Sequence, residues 1–80
     1  MRATKDMVEM SIKIIITYVV QSLSEDREIS KEDAFRLFAQ SKTFALLRSG
    51  KAKLYTESPE SVLAMFESEE IGDTDGWFNI

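Results

Sequence analysis

Lys5, Glu9, Lys13, Thr17 and Gln21 stand four residues apart through the most apolar stretch of the chain, and no other feature constrains the fold as strongly. Polar residues at that interval mark one face of an α-helix. Against this stands the run Ile14-Ile15-Ile16-Thr17-Tyr18-Val19-Val20, in which six of seven residues are β-branched and individually favour a strand. The polar stripe passes through the run unbroken, and a strand from Lys5 to Leu23 would be several times the usual length. The spacing therefore predicts a helix over about 5–23, opened by Thr4 as N-cap and helped by Glu9 preceding Lys13 in the favourable order. Its apolar positions wrap most of the circumference, so it must be covered on more than one side, by other elements or by a second copy of the chain. Ile15 and Val19 are expected in the core.

Eighty residues support one small domain. At this size only about 60–65% of the unfolded surface is buried on folding, so stability is expected to be modest. A content of 44% apolar and 30% charged residues describes a soluble globular chain. Met1-Arg2 ahead of an apolar stretch, with Ser22-Leu23-Ser24 after it, invites comparison with a secretion signal. Asp6 and Glu9 sit where such a signal is basic, Lys13 interrupts the apolar region, and the uninterrupted run is far short of the roughly 20 residues that span a bilayer. A cytoplasmic location is expected, in keeping with the absence of cysteine.

Downstream, local chemistry punctuates the chain. Ser24 to Glu28 reads as a polar connection, and Ser30-Lys31-Glu32-Asp33 as a capping box that opens a helix over 31–39, with Ala34, Phe35, Leu37 and Phe38 as its apolar face. Ser41 is expected to cap a helix over 42–48, with Phe44, Leu46 and Leu47 turned inward and Gly50 in the left-handed position after it. Lys51-Ala52-Lys53-Leu54-Tyr55 alternates polar and apolar, which predicts a short extended segment over 51–56. Ser58-Pro59-Glu60 then opens a helix over 59–70 with Val62, Leu63, Met65 and Phe66 inward. The expected fold is mainly α: one domain of about four helices, with the extended segment or minimal β pairing.

The tail, residues 73–80, carries the single tryptophan, Trp77, beside Phe78 and Ile80. These side chains are costly to leave in water, so the tail is expected to dock on its own core or on another chain. One such arrangement pairs 77–80 with 51–55.

Zero cysteine and zero histidine remove the usual ligands of zinc, haem and iron–sulfur centres and every histidine-based catalytic arrangement. No phosphate-cradling glycine motif is present, and the acidic clusters Glu25-Asp26 with Glu28, and Glu67 with Glu69-Glu70, read as solvated faces. The expectation is a protein that is not an enzyme, with no cofactor, no metal, no small-molecule substrate and no membrane partner. The net charge of −4 argues against indiscriminate nucleic-acid binding, but it is unevenly spread. Residues 36–55 hold five bases and no acid, and residues 56–80 hold seven acids and no base. The simplest reading is that these segments pack together and neutralise each other; the other is that Lys42, Arg48, Lys51 and Lys53 form a positive patch.

Two resemblances bear on function. Ile29 to Phe38, then Ser41-Lys42, then Arg48-Ser49-Gly50-Lys51, resembles the winged helix-turn-helix of excisionase-type and MerR-type DNA-binding domains. Ala39-Gln40 departs from the glycine and apolar residue of that turn, and the interval from Ser41 to Gly50 is about two residues short for its recognition helix. The resemblance implies that Lys42, Thr43, Ala45 and Arg48 face a DNA groove, with Lys51 and Lys53 near phosphates. Thr4 to Gln21, Ser30 to Phe38, Ser41 to Leu47 and Leu54 to Glu70 are together similar to short bacterial proteins of the antitoxin-like kind. That likeness implies a protein-binding role and no catalytic residues. Two functions are thus expected in competition. One is a non-catalytic protein-interaction module using Leu54, Tyr55, Trp77, Phe78 and Ile80, with another chain or a second copy as partner; the other is a small DNA-binding domain using Lys42, Arg48, Lys51 and Lys53.

Overall fold

Four helices follow in order in the computed structural model, which describes residues 5–50 and 53–72: α1 (Lys5–Arg27), α2 (Lys31–Ala39), α3 (Lys42–Ser49) and α4 (Pro59–Glu70). Their starts obey the capping chemistry. The Ser30 hydroxyl accepts the Asp33 N–H at 3.0 Å, Ser41 accepts that of Phe44 at 3.0 Å, and Ser58 accepts that of Ser61 at 3.2 Å with Pro59 in the first turn. The Asp33 carboxylate lies 3.8 Å from Arg36. Gly50, at φ 72°, ends α3 in the left-handed conformation.

Ile12, Ile15, Val19 and Leu23, spaced three or four apart, form one buried seam along α1. Against it pack Ala34 and Phe38 of α2, Leu47 of α3, and Val62, Met65 and Phe66 of α4. Four phenylalanines link the other helices edge to face: Phe35 to Phe44 at 6.1 Å between ring centroids, Phe44 to Phe38 at 5.3 Å, and Phe38 to Phe66 at 5.5 Å. The Arg27 guanidinium lies over Phe66, 5.9 Å from its centroid, which ties the end of α1 to α4. By length and composition alone, Asp6–Arg27 is long and apolar enough to cross a membrane; here its seam is the core of a small helical domain.

Several expectations are corrected. Ser24 to Arg27 is the last turn of α1 rather than a connection. Glu28 takes the left-handed conformation at φ 52°, and the Ile29 N–H reaches back to the Ser24 carbonyl at 3.1 Å, closing the helix in the manner of a glycine-capped end without the glycine. The added turn is held by Arg27, whose Nη1 donates to Glu70 at 2.8 Å while Nη2 pairs with the other carboxylate oxygen. Phe35 and Leu37, assigned to the inner face of α2, are 43% and 40% exposed. A nine-residue helix on the outside of the core can turn only part of its girth inward, and Ala34 and Phe38 take that position.

The expected extended segment is also different. Leu54–Thr56 is one turn of 3-10 helix, and no strand occurs among the described residues. Lys53 is left-handed at φ 52°, and the N–H groups of Lys53, Thr56 and Glu57 bond to the carbonyls of Gly50, Lys53 and Leu54. The backbone satisfies itself locally, so no strand partner is required. Residues 53–55 thus offer no strand for the tail to pair with; Lys51, Trp77, Phe78 and Ile80 lie outside the described residues.

Candidate interaction surface

The seven-residue β-branched run divides according to helical angle. At about 100° per residue, Ile14 stands roughly 200° from Ile12, so it faces away from the seam that buries Ile15 and Val19. It is 57% exposed, and Met10, one turn earlier on the same face, is 65% exposed, with Met7 beyond it at 52%. The core helix therefore carries a second apolar stripe on the outside of the domain. Exposed methionines are adaptable contacts, since an unbranched thioether can conform to a partner of irregular shape.

Across the polar row of Glu9, Lys13 and Thr17 from the stripe, α1 and the end of α3 enclose an open groove of about 660 Å³. Val8, Ile12 and Ile16 give it an apolar floor, and Glu9, Lys13 and Arg48 give it a charged rim. A smaller groove of about 240 Å³ follows along α1, lined by Ile16, Thr17, Val20, Gln21, Lys31 and Phe35. Signals for the outer stripe were present in the sequence: Met7, Met10 and Ile14 have the three-then-four spacing of a helix face, separate from that of Ile12, Ile15 and Val19.

The expected interaction residues fare differently. Leu54 is not on an exposed edge; it is 5% exposed and part of the core, and Tyr55 is half-buried against it. Both positions are turned inward by the 3-10 turn. Of the basic residues, Lys42 and Arg48 lie at opposite ends of α3, Arg48 on the groove rim, and Lys53 is exposed beyond the left-handed Gly50, while Lys51 lies outside the described residues. Thr43, placed by resemblance in a DNA groove, is fully buried.

The reason is Glu69 of α4. Its carboxylate accepts the N–H groups of Lys42 and Thr43 at 2.8 and 3.0 Å and the Thr43 hydroxyl at 2.9 Å, capping α3 from another helix. Burial alone would raise the Glu69 carboxyl, but these hydrogen bonds and the Lys42 charge outweigh it and hold the group below its ordinary value. The acidic cluster at 67–70 is thus largely structural: Glu69 caps α3 and Glu70 holds Arg27. A carboxyl depressed in the folded state favours folding at pH values above the unfolded pKa, about 4.3, and that contribution fades as pH falls through the folded value. Glu69→Ala is expected to cost about 1–2 kcal/mol at pH 7, because it leaves the buried Thr43 hydroxyl and two helix amides without an acceptor. The difference in melting temperature between the two proteins should narrow from pH 7 to pH 3; a constant difference would refute the assignment.

The fold and this surface define a small, mainly α domain with an apolar outer face on its core helix. Comparison of the chain with protein-family models, with curated proteins and with solved structures yields no match.

Proposed function

We propose that this chain is a non-catalytic protein-interaction module that receives an apolar segment of a partner on the outer face of α1 and the adjoining groove. The observation that carries the reading is the Met10–Ile14 stripe, more than half exposed on the helix that supplies the core. Solvent exposure of such residues is unfavourable, and a groove beside a helical apolar stripe suits an amphipathic helix laid against it. The antitoxin-like resemblance, which implies a small binding partner, is compatible with this surface. In the described part of the acidic cluster, Glu69 and Glu70 are engaged in holding helices together, which leaves them poor candidates for acid–base work. At the start of α3 the Glu69 carboxylate places a negative charge where a recognition helix would approach phosphate, so the DNA-binding alternative draws no support from the geometry. The same reading keeps the chain in the cytoplasm.

A photo-reactive residue at position 10 is expected to trap a partner in the native host, whereas one at Glu60 on α4 traps none. Ile14→Glu should abolish the product while leaving the melting temperature nearly unchanged, since substitutions at exposed positions typically stay within about 0.5 kcal/mol. Equal trapping at both positions, or trapping that survives Ile14→Glu, would refute the assignment of the surface.

A further inference from the structure

We propose that Trp77 of the chain's own tail seats in the smaller groove between α1 and α2, making that groove part of the intramolecular core. The groove has the dimensions of one ring. A cavity of about 150 Å³ accommodates benzene, so a groove of about 240 Å³ matches an indole, whereas the neighbouring groove of about 660 Å³ is too large for a single side chain to fill. Its walls also suit the residue. Ile16 and Val20 give an apolar floor, Phe35 presents an aromatic ring left 43% exposed, and Thr17 and Gln21 bring side-chain oxygens that can accept the indole N–H.

Position and charge point the same way. Glu69, three residues before Gly72, is bonded to Thr43, and the ring of the next residue, Phe44, lies 6.1 Å from that of Phe35 on the groove wall. The end of α4 is therefore two contacts from the groove. Trp77 is five residues beyond Gly72, which gives a reach of about 17 Å before its own side chain is counted. Gln21, the nearest lining residue of the smaller groove, lies about 9 Å along α1 from Arg27, the residue paired with Glu70, whereas the larger groove comes no nearer along α1 than Thr17, about 15 Å away. Lys31 on the rim, the one charged residue lining the smaller groove, is opposite in charge to Asp73 and Asp75, which precede Trp77 in the sequence. This seat leaves Met10 and Ile14 uncovered, and it meets the larger groove only at Ile16 and Thr17, which line both.

Trp77 is the only tryptophan, so its fluorescence reports this site alone. The native full-length chain is expected to emit to the blue of the same chain in denaturant, with no change on serial dilution. Phe35→Ser, and separately Lys31→Glu at an exposed position, should each shift the emission toward the red with the helical circular dichroism retained. Ile14→Ser should leave it in place. Native emission at the denatured position overturns the proposal. Blue emission that reddens on dilution also overturns it, by seating the tail on a second copy, and so does blue emission indifferent to both groove variants.

Discussion

Val19→Asp is expected to abolish the cooperative thermal transition of this chain, read by circular dichroism, whereas Ile14→Asp in the same β-branched run should melt much as the parent does. Val19 is fully buried in the centre of the α1 seam, within the apolar core cluster. An unpaired buried charge costs several kcal/mol or forces the surroundings to open. A domain of this size has a total stability on the order of 4–12 kcal/mol, so the penalty consumes most or all of it. Ile14 is already more than half in water, and a carboxylate there stays solvated. A cooperative transition for Val19→Asp near the parental temperature would show that the seam is not the core.

The second large effect belongs to Phe38→Ala. Phe38 has no exposed surface and stands in the middle of the ring chain, edge to face with Phe44 of α3 and with Phe66 of α4. Its removal strips contacts from three helices at once and leaves a cavity that short helices tied by tight turns cannot close. The expected loss is about 3–5 kcal/mol in urea unfolding, the range for a buried aromatic cut to alanine. Leu37→Ala next to it, at a position 40% exposed, should cost below about 1 kcal/mol. Similar losses for the two would mean that the inward face of α2 is misassigned.

The contrast between these neighbours shows where the sequence could be read and where it could not. Helix starts were legible at Ser30, Ser41 and Ser58-Pro59, and a helix end at Gly50, because a cap is a bond between residues three apart and needs nothing from the rest of the chain. The helical nature of Ile14 to Val20 was legible too, since the four-residue polar stripe outweighed the strand preference of each residue. The outer stripe lay within the same periodicity, but periodicity does not say which of two apolar faces will be covered.

What remained illegible depends on partners distant in the chain. The last turn of α1 looked like a connection because its stabilising contact, Arg27 with Glu70, spans 43 residues. The acids at 67–70 looked like a solvated face, yet Glu69 is the N-terminal cap of a helix 26 residues earlier. The alternation at 51–55 suggested a strand, and the left-handed Lys53 turned Leu54 into the core instead, a conformation that no residue type other than glycine announces. The sequence by itself determined the helices, their starts and the apolar seam, all of which follow from bonds and spacings within a few residues. Only the tertiary structure decided which apolar side chains stay in water and which carboxylates hold the fold together, because burial and capping across helices depend on which surfaces meet.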